Sequence, residues 1–141
     1  MTDIARDQRD FMYMGNQTTV EYNPNQIKLY TNLIIEEFIE LLLPRVSKET
    51  INKIKEYFQN EQIINEPVEN VLKEATDLLV VTLGFIYSHG INPNDVWNLV
   101  HANNMAKVND SVVKDENGKI MKSPESKARK ERMMDTIRKL V

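Results

Sequence analysis

Proline placement divides this chain into helices. Proline fixes φ near the helical value and lacks an N–H, so it suits the first turn of a helix and breaks the interior. Asn23-Pro24, Glu66-Pro67 and Asn92-Pro93 each open a run with helical periodicity. Pro44 stops the first run, and His89-Gly90 closes the second with a glycine where a C-cap needs one. The spacing predicts helices over 24–43, 67–89 and 93–107. SKETINKIKEYFQNEQ (47–62), with Ser47 as N-cap and apolar residues at 51, 54, 57 and 58, adds another. A short helix over 1–14 ending near Gly15 and a basic amphipathic helix after SPES (123–126) complete the set, with a loop or short hairpin around Asn117-Gly118 between them. The expected fold is all-α, a four- to five-helix bundle with two long apolar helices at its centre. It is expected as a single domain, 1–141, with a basic loop and C-terminal helix at 108–141.

Those two apolar helices carry acids. LIIEEFIELLL (33–43) places Glu36, Glu37 and Glu40 inside an otherwise apolar run. At roughly 100° per residue the three share one arc, with like charges at i,i+4. The second run, EATDLLVVTLGFIY (74–87), is apolar nearly all round except for Glu74 and Asp77, three apart on one side. Lys73 is read as lying on another face, leaving neither cluster a basic partner at i±3 or i±4. Carboxylates in an apolar setting cost several kcal/mol unless paired, neutralised or bound to a metal. If the two helices pack antiparallel, five carboxylates converge on one groove, and divalent cations would relieve their repulsion. With no cysteine and only His89 and His101, any metal here needs oxygen ligands, which favours magnesium or manganese over zinc. The plain alternative is a set of solvated acids on amphipathic helices.

EExxE on one helix followed by ExxD on a second resembles the all-α nucleoside triphosphate pyrophosphohydrolases of the MazG-like group, matched here at Glu36, Glu37, Glu40, Glu74 and Asp77. The similarity continues through NNMAK (103–107), like that group's SNMSK segment, through GKIMKSP (118–124), like its glycine–lysine loop, and through RDFMYMGNQ (9–17), like its nucleotide-contacting N-terminal segment. Together these span most of the chain in the expected order. Two departures stand out: Ala106 replaces a serine of SNMSK, and the stretch between the motifs, 41–73, is long.

The resemblance implies cleavage of a (deoxy)nucleoside triphosphate between its α and β phosphates, giving the monophosphate and pyrophosphate. It implies two or three Mg2+ or Mn2+ ions per site on Glu37, Glu40, Glu74 and Asp77. Glu36 is expected to handle the attacking water as the catalytic residue, or to serve as a further ligand. Asn104 and Lys107, with Lys119 and Lys122 in the loop, match phosphate-side positions. Phe11, Met14 and Gln17 match the nucleoside side, where a purine such as dGTP is favoured because the apolar segment reads as roomy. Trp97 is expected in the core rather than against a base. Relatives of this kind are homodimers or homotetramers.

Two rival functions follow. A phosphoribosyl-ATP pyrophosphohydrolase shares the motif pair, but its second motif usually ends in a DLLYH-like run, whereas this chain reads DLLVV (77–81). A non-enzymatic helical module is the other. Residues 1–100 hold 15 Asp/Glu against 8 Lys/Arg, and residues 101–141 hold 6 against 10, so the tail could bind nucleic acid. Six acids dilute that tail, and nucleic acid is not expected as the partner. No apolar run of about 18 residues marks a membrane span. The acidic, polar start MTDIARDQRD lacks the apolar core of a secretory signal, so a cytoplasmic location is expected.

Overall fold

The computed structural model describes residues 1–42, 47–60, 67–110, 114–120 and 125–141. Expectations placed on Pro44, Glu66, Lys122, the end of helix 47–62 and the first two residues of SPES lie outside them. Among the described residues six helices form: α1 (Ile4–Met14), α2 (Pro24–Leu42), α3 (Lys48–Asn60), α4 (Val68–Tyr87), α5 (Pro93–Asp110) and α6 (Ser126–Leu140). Among the described residues there is no strand, only one antiparallel bridge between Lys114 and Ile120. The all-α class is as expected. The helices are those that the segment boundaries predict, and among the described residues they number six against the four or five of the expected bundle. No helix of the described residues is long and apolar enough to cross a membrane. The chain divides into two compact units, Tyr22–Asn65 on one hand and Met1–Glu21 with Glu66–Val141 on the other.

The smaller unit is a pair of helices. Asn23 Oδ1 accepts from the Gln26 N–H at 3.0 Å ahead of α2, and Ser47 Oγ accepts from the Thr50 N–H at 3.2 Å ahead of α3. Both satisfy orphan donors at a helix start, as the sequence suggests. α2 packs on α3 and buries Leu29 and Ile39, while Ile27, Ile34, Phe38 and Leu41 stay exposed.

In the larger unit α5 touches α1, α4 and α6. A helix contacted on several sides needs no single apolar stripe, and Val96, Trp97, Val100, Met105 and Val108 spread around α5 accordingly. Val108 is its most deeply buried residue, at 1% exposure. α4 ends as expected, with Gly90 at φ 75° and the Gly90 N–H donating to the Tyr87 carbonyl at 2.8 Å. His89 Nδ1 meets the Phe85 carbonyl at 2.9 Å, a local role. The expectation that α4 is central is corrected: none of its residues is buried, and Val71, Leu72, Leu79, Val80 and Val81 are exposed. Among the described residues of its unit only α5 lies against it, which is too little to cover a helix apolar on every side.

A buried acid ties α1 to α5. Asp7 Oδ2 accepts from Trp97 Nε1 at 3.0 Å, with Arg6 at 3.4 Å and His101 Nε2 at 4.0 Å from Oδ1. The His101 ring stacks on Trp97 at 6.2 Å and 9°. Trp97 is thus a structural pin, in keeping with the core role expected of it. Its N–H holds the Asp7 carboxyl below the usual range; burial opposes this, and the charges of His101 and Arg6 reinforce it. A depressed carboxyl stabilises the fold above its unfolded value, about 3.9, and that stabilisation is lost as pH falls through the folded value. Asp7→Asn should therefore melt below wild type at pH 7, with the gap closing below about pH 4. Equal melting temperatures at pH 7 would remove the charge from this account.

Candidate functional site

Of the α2 acids in the smaller unit, Glu36 is drawn to a cation of the neighbouring helix. Glu36 Oε2 accepts from Lys55 Nζ at 2.7 Å, with both side chains largely shielded. Glu37 and Glu40 are exposed. The partner comes from α3, so it depends on how the two helices pair and not on spacing along either.

The α4 acids are also paired, and here the sequence reading is corrected. Lys73 Nζ lies 3.0 Å from Glu74 Oε1 and 2.8 Å from Asp77 Oδ2. Lys73 and Asp77 are i,i+4 neighbours, the spacing at which helical side chains meet, so the lysine shares a face with Asp77 and its stem folds along the helix. Asp77 first, then Glu74, raise the Lys73 ammonium above the ordinary lysine value, against a smaller effect of burial. These groups are well exposed, so the pairs contribute little to stability.

Among the described residues no three His, Asp or Glu side chains are placed to hold one ion. The chemistry of the donors nonetheless fits a hard divalent cation. Every candidate offers carboxylate oxygen, no thiolate competes, and a lysine ammonium already rests on acids of each helix.

The residues expected on the nucleotide side lie mostly in the larger unit's α1, α5 and 114–120 turn. Phe11 is half-buried, and the Lys107 ammonium sits over its ring, 5.6 Å from the centroid. Met14 is 41% exposed on the same helix. Gln17 Nε2 donates to the Gly118 carbonyl at 3.4 Å, which brings the end of α1 to the glycine–lysine turn. Asn104 and Lys119 are half-buried. Beside Asn104, the Asn103 Oδ1 is buried without a hydrogen-bond partner among the described residues. The structure therefore joins Phe11 to Lys107 and Gln17 to the residue before Lys119.

Two residues of this unit escaped the sequence reading. Asp7 stands with Ile4, Phe11 and Met14 at i, i+3, i+7 and i+10, an acid on the apolar side of α1; that placement was the available signal. Asp115 precedes Asn117-Gly118 by two residues, where an Asp commonly bonds the backbone ahead of it.

No curated protein and no solved structure matches the chain significantly. A family model does: that of phosphoribosyl-ATP pyrophosphohydrolase matches residues 8–104, well over half of the chain. The match takes in α1 from Gln8 onward, both acid-bearing helices and Asn104. It bears the name of the family ranked second on the DLLVV reading, and lies within the MazG-like group suggested by the paired acid motifs. The chain belongs to the phosphoribosyl-ATP pyrophosphohydrolase family of all-α, MazG-like nucleotide pyrophosphohydrolases.

Proposed function

We propose that the protein is a metal-dependent nucleoside triphosphate pyrophosphohydrolase, releasing pyrophosphate and a monophosphate. The observation that carries this reading is the family match across two helices that each hold an acid paired with a lysine, Glu36 of α2 with Lys55 of α3 and Asp77 of α4 with Lys73. Glu37, Glu40, Glu74 and Asp77 would hold two or three Mg2+ or Mn2+ ions, which supply charge neutralisation on the phosphates. Glu36 accepts a proton from the attacking water, whose oxygen forms a bond to the α phosphorus. The bond from that phosphorus to the bridging oxygen breaks, and its electron pair leaves with pyrophosphate. Asn104, Lys107, Lys119 and Lys122 take the phosphate oxygens, lysine acting as a point charge. Phe11, Met14 and Gln17 take the nucleoside, with a purine deoxynucleotide such as dGTP favoured. A nucleotide substrate is consistent with work in the cytoplasm.

The exposed apolar side chains of α4 favour a homodimer or homotetramer, since a face of that kind marks an interaction surface. Sedimentation at assay concentration reads this, and a monomer would remove it.

The printed family name favours a second substrate, phosphoribosyl-ATP. A pyrophosphate-release panel over all ribo- and deoxynucleoside triphosphates and phosphoribosyl-ATP, with Mg2+ or Mn2+, decides between them. We expect a nucleoside triphosphate to have the highest kcat/KM. Preference for phosphoribosyl-ATP would install the second reading. No pyrophosphate from any compound would leave a binding module, with the basic exposed face of α6 as its first suspect.

A further inference from the structure

The 114–120 turn is built around one acid. Asp115 Oδ1 accepts from the backbone N–H groups of Asn117 and Lys119, both at 2.9 Å. The Asp115 N–H donates to the Lys119 carbonyl at 2.9 Å, and the Gly118 N–H donates to the Asp115 carbonyl at 3.1 Å. Gly118 takes φ 85°, which a side chain would resist. Lys119 is thus held by Asp115 through both its N–H and its C=O, and the Lys114–Ile120 bridge closes the turn beneath it.

The turn is seated on the end of α1 at three points. Ile120, 6% exposed, rests against Gly15, where an added Cβ would run into the Ile120 Cδ1. Lys114 Nζ donates to the Asn16 carbonyl at 2.7 Å, and Gln17 Nε2 to the Gly118 carbonyl at 3.4 Å. The segment that would meet the nucleoside and the turn that would meet phosphate are therefore held against each other by side-chain contacts.

We infer that Asp115 is a positioning residue for nucleotide binding: it fixes the backbone that presents Lys119 to the phosphates, on a turn seated against Gly15. The inference rests on the reading of the chain as a nucleoside triphosphate pyrophosphohydrolase and deepens it. The carboxylate need not touch the ligand. Its two backbone bonds order the turn beforehand, so that ordering is not charged against binding. A lysine that meets phosphate equally in the ground and transition states affects KM and leaves kcat nearly alone.

The test compares wild type with Asp115→Ala, Asp115→Asn, Lys119→Ala and the Asp115→Ala/Lys119→Ala double variant. Each is assayed for pyrophosphate release and for affinity to an α,β-methylene nucleoside triphosphate, which cannot be cleaved between those phosphates. Asp115→Ala and Lys119→Ala should each raise KM and Kd about tenfold, the scale of one charge-assisted hydrogen bond. The double variant should be no worse than Lys119→Ala, because both losses remove the same contact. Asp115→Asn keeps an acceptor oxygen and should stay close to wild type. Unchanged affinity in Asp115→Ala, fully additive losses, or a fall in kcat alone would each overturn the inference while the hydrolase reading stands. If wild type releases no pyrophosphate yet binds the analogue, the hydrolase reading fails and the same affinity comparisons still decide the inference. Failure of wild type to bind the analogue overturns it.

Discussion

Glu36→Gln is expected to lower kcat by about 10²- to 10⁴-fold, the range over which a positioned general base contributes. Glutamine keeps the shape of the side chain and a carbonyl oxygen that can still accept from Lys55 Nζ, so the 2.7 Å contact between α2 and α3 is weakened without a hole being made. What disappears is the capacity to take a proton from water. Metal affinity should stay close to wild type, because the reading assigns the ions to Glu37, Glu40, Glu74 and Asp77. The assay is single-turnover pyrophosphate release alongside calorimetric titration with Mn2+. Loss of Mn2+ binding together with turnover would make Glu36 a ligand and vacate the role of base. Full activity in the variant would remove Glu36 from the chemistry altogether.

Removing divalent ions is expected to bring pyrophosphate release down to the uncatalysed background, with Mg2+ or Mn2+ restoring it and Na+ failing to. Three glutamates on one side of α2, two of them at i,i+4, repel one another without a cation. A polyanionic triphosphate adds further negative charge, and phosphoryl transfer needs that charge offset. Binding should also be visible without turnover. An ion at a hundred times its Kd stabilises the folded chain by about 2.7 kcal/mol, a rise of some degrees in melting temperature. Full activity after dialysis against a chelator, or a melting temperature indifferent to Mg2+ and Mn2+, would end the metal-dependent reading.

The helices were legible in the sequence because their limits are set by local chemistry. Asn23, Ser47 and Gly90 do at the helix ends what their types predict, and Asn117-Gly118 turns the chain where expected. The acids of the candidate site were legible as a pattern of residue types. Their counter-ions were harder. Lys73 could have been placed from spacing, since it stands four residues before Asp77, and assigning it to another face was an error of geometry. Lys55 could not, because its bond to Glu36 depends on the register of α3 on α2, which no periodicity within either helix sets. The same holds for Asp7 with Trp97, ninety residues apart, and for Ile120 on Gly15. Apolarity all round α4 predicts burial, yet a helix can be apolar without the described residues of this chain covering it.

The lysine bridging Glu74 and Asp77 bears on which ions can enter. Its ammonium is attached to the same helix as its two acids, so it is present at a high local concentration that no dilution or buffer exchange lowers. A potassium or sodium ion brings the same single charge and would have to displace a tethered rival for no electrostatic gain. A divalent ion brings a second charge and can win the exchange. The displaced ammonium stays within a side chain's length, facing whatever anion the newly bound ion attracts. At the proposed metal site such an arrangement would favour divalent over monovalent cations through covalent attachment, with no need for a cavity of selective size.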